Sequence, residues 1–466
     1  MYSRMIVLLL LVITFMCGCS SSSVFKSYPA QVNPSIQFVS QGLTVDYGKA
    51  FGDKTECNDG VLYAMEEARL QQIQNLASNS LANYMIAINK IQEMDDKAVV
   101  TVSGGGAQVA AVTVNDNTIP YNPPGYERIV LRQLQSMNYL AKGDIEGASV
   151  EVRAANYAHR KAKEDHAKEI NKAQNDIDEV KSDTDVSNFQ GSYADMISAV
   201  GNIKSSFLNA YTFYYSGIVY ELAGGFNDAY IDYKQALEIA PDNVYIAQDV
   251  LRLAKRLGMR EDYKKFKNRY GNIQEETVVK GSGTLIVLFE DGFVKQKESI
   301  DIPIPYFGAS VIVPVTCPIY SATRRNSQIL SMKVSGQVMN SMPICSMTDL
   351  AIKSLQEDLP VILSRVVIRA FTKATLSKQA SDSLGAFGSL AASIYNIVTE
   401  SADRRSWLSL PDNVQLIKTK LASGEHELKF SVGTQFENHS VNIASGKITV
   451  VRVVNTDGKL YISTLW

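Results

Sequence analysis

The sequence predicts an α+β, multidomain protein in which α-helical hairpin repeats precede an antiparallel β-rich domain carrying an inserted helical pair. Three observations lead there. A chain of 466 residues exceeds what a single hydrophobic core usually serves. From about residue 58 to residue 268 apolar residues recur at helical spacing, and small and aromatic residues recur at matching mutual distances within that stretch. From residue 281 the period falls to two, with Asp-Gly turn signals between runs of Val, Ile and Leu.

Composition sets the class. Hydrophobic residues make up 45% and charged residues 20%, and 46 basic against 48 acidic side chains leave a net charge of -2. Such a chain folds, and it has no global field to recruit a polyanion, which excludes nucleic acid as an expected partner.

The N-terminal residues carry an address. Arg4 precedes an apolar run over residues 5–16 (MIVLLLLVITFM), followed by Cys17-Gly18-Cys19 and Ser20 to Ser23. A dozen apolar residues fall short of the roughly 20 that span a bilayer, so residues 1–18 read as a signal peptide. Met16-Cys17-Gly18-Cys19 resembles the lipobox of bacterial lipoproteins. That resemblance implies lipidation, palmitate included, at Cys19, which becomes the mature N-terminus. Ser20 stands where inner-membrane retention typically uses Asp, which implies a lipid-anchored outer-membrane protein facing the periplasm. Acyl chains contribute about 0.8 kcal/mol per buried CH₂, and two or more anchor stably. Residues 19–50, with Pro29, Pro34 and Gly42, read as a tether.

Residues 51–275 form the expected helical repeat domain. Its clearest unit runs from Ala210 to Asp242, with Phe213, Gly217 and Tyr220 on a first helix, Ala229, Tyr233 and Ala236 on a second, and Pro241 at its end. Gly217 and Ala229 are small where the two helices cross, and the aromatic residues fill the space beside them. These positions resemble the tetratricopeptide (TPR) repeat, with Ser216 and Phe213 departing from the usual Leu and Trp. Ser136, Tyr139, Gly143, Ala148, Val152 and Ala155 mark a degenerate copy. Ala64, Ala68, Ser80, Tyr84 and Ala87 mark a weaker one, and residues 244–268 look like a closing pair. One hairpin cannot bury its own apolar face, so about three must stack. Residues 158–185 read as a charged helical extension. The glycines of Ser103 to Gln108 lack the Lys-Ser/Thr pair of a phosphate loop.

Residues 276–466 form the expected β-rich domain. A hairpin is expected over GTLIVLFEDGFVKQKESIDIPIP with Asp291-Gly292 as its turn. Further strands are expected at Ser310–Val315, Gln328–Val334, Gln415–Leu421, Glu427–Val432, Lys447–Val454 and Lys459–Thr464, with a turn at Asp457-Gly458. A helical insertion is expected near 347–402. Leu355, Leu359, Ile362, Val366, Phe371 and Ala374 trace one apolar face of its first helix, which Pro360 kinks or restarts. Its second helix, residues 383–399, contains an uncharged stretch over 384–398 that suits either burial or lipid. Cys317 and Cys345 are a candidate disulfide, with three buried thiols including Cys57 as the alternative.

The exported cysteine, the TPR units, the GTLIVLFEDGFVKQKESIDIPIP stretch and Ala402-Asp403-Arg404-Arg405-Ser406-Trp407-Leu408-Ser409-Leu410-Pro411 together resemble a family of uncharacterised TPR-containing lipoproteins of Gram-negative bacteria. The likeness spans most of residues 55–466. The blocks matching Leu140 to Val152 and Ala402 to Pro411 are its recognisable parts. It implies architecture and compartment and supplies no catalytic residue.

The sequence holds no G-x-S-x-G elbow, no H-E-x-x-H and no paired C-x-x-C, and only four histidines. His159 and His166 are about 10 Å apart along a helix, too far to share an ion without other ligands. The expectation is therefore not an enzyme: no cofactor, no metal and no small-molecule substrate. The expected function is a lipid-anchored periplasmic scaffold or adaptor that binds an envelope protein or peptide through the concave face of the repeats. Tyr211, Tyr214, Ile218, Glu221 and Leu222 line that face in the best repeat, and Gln133, Met137 and Leu140 in the earlier one; packing within the chain is the competing use of the same residues. The alternative function is a membrane-associated subunit of an envelope secretion or remodelling complex. Trp407 reads as a plug at the junction between the inserted helix and the returning strand, with an interface anchor as its other reading.

Overall fold

The computed structural model describes residues 26–101, 117, 119–180, 187–271, 281–306, 311–366, 368 and 402–466. The leader, Cys19, the glycines of 103–108 and the expected helix of 383–399 lie outside the described residues.

The segment expected to be a tether is partly helical: α1 (Tyr28–Ser40) and the short α2 (Tyr47–Phe51) precede a 3-10 turn at Gly52–Glu56. Its two prolines read as breakers, yet Pro29 sits in the first turn of α1, where a missing N–H costs nothing. Tyr28, Val32, Ile36 and Val39 recur on one face and are buried. The Tyr461 hydroxyl donates to the Val39 carbonyl at 2.7 Å, tying this helix to the C-terminal strand.

Four helical hairpins follow: α3 (Gly60–Ile73) with α4 (Ala77–Thr101), α5 (Gly125–Ala141) with α6 (Ile145–Val180), and, after the short helices α7 (Ser187–Ser192) and α8 (Ala194–Ala199), α9 (Ala210–Leu222) with α10 (Phe226–Ile239) and α11 (Val244–Arg256) with α12 (Arg260–Arg269). Every hairpin link is three residues long, and its middle residue, Asn75, Gly143, Gly224 or Gly258, has φ between 63° and 82°. Only Gly, or Asn with its tolerant side chain, adopts that left-handed turn cheaply, which is why those types recur there. A Cβ on Gly217 would sit 2.5 Å from the Tyr233 ring, and one on Gly147 would sit 2.6 Å from the Tyr139 ring, so a bare backbone lets each helix pair close. Asn209 and Asn243, which begin the last two hairpins, each accept two backbone N–H bonds as helix caps.

The strands are β1 (Ser282–Asp291), β2 (Glu298–Tyr306), β3 (Val311–Ile319), β4 (Ser331–Val334), β5 (Gln337–Asn340), β6 (Met342–Ser346), β7 (Asn413–Ala422), β8 (Gly424–Val432), β9 (Gln435–Ile443), β10 (Ile448–Asn455) and β11 (Leu460–Thr464), with a helix over 347–366 (α13) between β6 and β7. They form a five-stranded sheet in the order β11-β10-β1-β7-β6, a four-stranded sheet β5-β4-β8-β9 and a separate ribbon β2-β3. All pairings are antiparallel except β1 with β10, which is parallel. The fold is therefore α+β with one mixed sheet where a wholly antiparallel domain was expected.

Two expected features differ. Asp291-Gly292 does not turn a hairpin: β1 is covered on both faces and lies between β10 and β7, while β2 leaves to pair with β3. Asp291 instead accepts from Arg325 at 2.7 Å, from the Asn455 amide at 2.7 Å and from the Gln328 N–H at 2.8 Å, which fixes the strand end. Helix α13 runs through Pro360 without restarting. The turn at Asp457-Gly458 joins β10 to β11 as expected, with Asp457 at φ 67°.

Alternation along the five-stranded sheet builds two cores. Leu285, Val287, Phe289, Ile417, Val451 and Val453 face the four-stranded sheet, where they meet Met332, Leu428, Phe430 and Val441. Ile286, Leu288, Leu416, Val450 and Val454 face the other way into a core that includes Tyr63, Leu134, Tyr211 and Val250 from the helices. The layers are helices, five-stranded sheet, four-stranded sheet. The last helix of the array ends at Arg269 and the first strand begins at Ser282, and the larger core takes residues from both sides of that junction.

Candidate functional site

The helix-facing side of the five-stranded sheet carries three charges among its apolar rows, Glu290 on β1, Lys418 on β7 and Arg452 on β10, all buried. Each needs a partner there, because an unpaired buried charge costs several kcal/mol. Arg69 from α3 pairs with Glu290, and the Tyr211 hydroxyl donates to the other carboxylate oxygen at 2.7 Å. Lys418 donates to Asp249 of α11 at 2.7 Å, and Asp249 also takes Arg252 at 2.5 Å and the Tyr214 hydroxyl at 2.9 Å. Arg452 donates to the Gln72 carbonyl at 2.8 Å. Burial pushes the Glu290 and Asp249 carboxyls up, but the cations beside them outweigh it and hold both below the ordinary range.

These contacts locate the residues expected on the concave face. Tyr211, Tyr214, Ile218, Gln133, Met137 and Leu140 are all buried, and Glu221 and Leu222 are half-buried, with Glu221 paired to Arg252 at 2.6 Å. Thr212 donates to Gln133 at 2.6 Å, and the Tyr233 hydroxyl donates to Glu221 at 3.2 Å. The chain's own sheet occupies the surface at Tyr211, through Glu290, and at Tyr214, through Asp249 and Lys418, while Gln133 and Glu221 are bonded within the array.

A second occupant is the segment 402–412, which turns at Leu408–Ser409 and is held by residues of α3 and α5 before entering β7. Its side chains Trp407, Leu408 and Leu410 are at most 1% exposed, and the Trp407 indole meets the Tyr84 ring edge-on at 6.0 Å. Its main chain is held by carboxylates from the helices. Glu127 accepts the Trp407 N–H at 3.0 Å, and Glu66 accepts those of Leu408 at 2.5 Å and Ser409 at 3.0 Å. Arg69 donates to the Ser409 carbonyl at 3.3 Å, and Arg405 reaches Asp59 at 2.6 Å and the Ile119 carbonyl at 2.8 Å. Trp407 is thus a buried plug, as the sequence suggested, but one that sits among the helices of the array.

Burial raises the Glu66 carboxyl to about 7, against the pull of the N–H and hydroxyl donors around it. Burial raises Glu127 as well, although the Trp407 N–H and the Tyr121 and Tyr126 hydroxyls favour its ionised form. Sequence reasoning passed over Glu66, Arg69 and Glu127. The available signal was that Glu66 and Arg69 lie three residues apart in a helix whose other residues are buried on nearly every side.

Cys317 and Cys345 are not joined by a disulfide. Cys317 on β3 lies beside the Tyr193 hydroxyl, whereas burial among β6 and α9 pushes the Cys345 thiol up to about 12. Among the described residues no helix is long and apolar enough to cross a membrane. No family model, curated protein or solved structure matches the chain.

Proposed function

We propose that this protein is a lipid-anchored adaptor of the bacterial envelope, held through acylated Cys19 at the periplasmic face of the outer membrane, whose TPR-like hairpins bind protein partners. The repeat reading is supported by the shared three-residue links, by the Asn209 and Asn243 caps and by the 34-residue step from Ala210 to Val244 that separates the last two hairpins. The observation that carries the function is the capture of segment 402–412: the array grips a peptide turn of its own chain by the backbone N–H groups and the aromatic side chain. With its inner face filled in this way, the array meets a partner on its outer helices. There Val150 and Tyr157 of α6 are 54% and 60% exposed on one face, two turns apart.

The test is a photocrosslinking residue at Tyr157 in intact cells, with Cys19→Ala as the localisation control and metabolic palmitate labelling of both chains. The expected result is a labelled wild-type chain and an adduct that the Cys19→Ala chain does not form. An unlabelled mature product, or the same adducts from both chains, removes the proposal.

A further inference from the structure

Of the three charges that the five-stranded sheet turns toward the helices, two meet an opposite charge and one does not. Glu290 takes Arg69, and Lys418 takes Asp249. Arg452, 2% exposed, reaches only a neutral group. Its Nη2 donates to the Gln72 carbonyl at 2.8 Å, while its Nε and Nη1 have no partner among the described residues. A guanidinium stays charged inside a protein and donates from all three nitrogens, so a unit of charge and most of its hydrogen bonds are left unanswered.

The carboxylates described around it are already taken. Arg452 lies opposite Leu288 on β1, and Glu290 is two residues further along the same face. Glu290 acts on Arg452 through its field, but it is in contact with Arg69 and the Tyr211 hydroxyl. The two arginines record the difference. Burial pushes both guanidiniums down; at Arg69 the Glu290 carboxylate outweighs burial and the group ends above its usual value, whereas at Arg452 burial prevails. Asp249 is held by Lys418 and Arg252, and Glu66 by the N–H groups of Leu408 and Ser409. Gln72 stands in the last turn of α3, whose terminal carbonyls bring roughly half a unit of negative charge.

A second donor without a partner lies in the same core. The Tyr84 hydroxyl of α4 is fully buried, and the charges of Arg69 and Arg452 both act on it. Burial holds this phenol well above its ordinary value against the pull of those cations, so it keeps its proton and donates. Two cations, one carboxylate and a hydroxyl therefore share a site that water can saturate with hydrogen bonds but cannot neutralise. An acceptor with one negative charge does both.

We propose that Arg452 and Tyr84 hold a small monovalent anion, chloride, between the five-stranded sheet and helices α3 and α4. A monatomic ion accepts N–H and O–H donors from any direction, and its single charge matches the one left over, which sulfate or phosphate would exceed. The ion then completes the seating of the helices on the sheet, supplying at Arg452 what Arg69 supplies at Glu290. The proposal does not rest on the adaptor reading, and its test involves neither Cys19 nor Tyr157.

The test is urea unfolding of the chain at fixed pH and ionic strength, with gluconate, too large for such a site, replaced stepwise by chloride. Because the unfolded chain releases the ion, the unfolding constant of wild type is expected to fall in proportion to chloride, on the order of tenfold for a tenfold rise, and bromide is expected to act alike. Arg452→Met is expected to unfold independently of chloride, and Tyr84→Phe to need a few-fold more chloride for the same effect. Crystals grown in bromide are expected to place an anomalous scatterer within hydrogen-bonding distance of Arg452 Nε. Equal unfolding constants in chloride and gluconate overturn the proposal, water then serving these donors. A chloride response that Arg452→Met retains in full also overturns it, by placing the ion elsewhere. Should Arg452→Met fail to fold, an unaltered response in Tyr84→Phe together with no bromide peak at Arg452 has the same consequence.

Discussion

Glu66→Gln tests the central electrostatic feature of the peptide grip. In the folded chain Glu66 titrates at about 7 against an ordinary 4.5, burial being the dominant cause. A carboxyl whose folded pKa is raised binds its proton more tightly in the folded state. Its stabilising contribution is therefore complete below pH 4.5 and is lost as the pH rises through 7. At about 1.4 kcal/mol per pH unit the difference amounts to roughly 3 kcal/mol between pH 4.5 and 8. The glutamine cannot titrate, and it keeps a carbonyl for the Leu408 N–H and the Tyr28 hydroxyl, which lie at 2.5 and 3.1 Å from Oε1. The assay is urea denaturation of both chains across that pH range. The stability of wild type relative to Glu66→Gln is expected to fall by about 3 kcal/mol as pH rises, most steeply between 5 and 7. A flat difference would show that Glu66 ionises as an exposed glutamate does, and an increase would show that the donors around it outweigh its burial; either result refutes the reasoning.

Other consequences are checked more briefly. Trp407→Ala empties a fully buried site against Tyr84 and should cost about 3–5 kcal/mol in the same denaturation assay. Gly217→Ala puts a methyl 2.5 Å from the Tyr233 ring and should cost about 1–3 kcal/mol, with Tyr233→Leu in the same chain recovering part of the loss. The half-buried Cys345 thiol, pushed up to about 12, should react with a disulfide reagent at neutral pH much more slowly than in urea, which the difference in reaction time course between the wild-type chain and Cys345→Ser reads. A chain cut at residue 275 should bind a hydrophobic dye and lack a cooperative melting transition, since Arg69, Tyr211 and Asp249 lose partners that lie on the strands.

The helical hairpins were legible because their markers are steric. Gly217 beside Tyr233 and the left-handed residues at the links leave the same signature in sequence and in space. Strand β8 was legible from alternation, because one of its faces is turned to a core, whereas β7 and β10, buried on both faces, were legible as short apolar and β-branched runs between turn signals. Helix α1 was not, since Pro29 and Pro34 mask the stripe of Tyr28, Val32, Ile36 and Val39. The partner of β1 was not legible either. A strand buried on both faces shows no alternation, and Asp291-Gly292 carries the same signal whether it turns a hairpin or anchors a strand end to Arg325 and Asn455. That Tyr211 and Tyr214 are covered from within the chain was not legible, because the sheet charges that meet the helices, Glu290, Lys418 and Arg452, lie 79, 169 and 380 residues from their partners, a separation no local pattern reports.

Those three charges also determine how permanent the filling is. In register, Lys418 lies opposite Ile286 on β1, Arg452 opposite Leu288, and Glu290 follows, so three neighbouring strands present charge at three successive levels of one face. The helices answer with Asp249, the Gln72 carbonyl and Arg69. A buried ion pair adds little net stability over a well-packed apolar pair, but a misplaced one is costly, so this arrangement selects one seating of array on sheet. Glu66 lies one turn from Arg69 on α3, and segment 402–412 continues directly into β7 at Asn413. The seating that satisfies Glu290 therefore also delivers the Leu408 and Ser409 N–H groups to Glu66, at the high effective concentration of a ligand joined to its receptor. Releasing that peptide to admit another would pull on β7, which pairs with β1 along all ten of its residues. A partner that exchanged with it would have to break the sheet, and this is why the outer helices, not the inner face, are the surface on which binding should be sought.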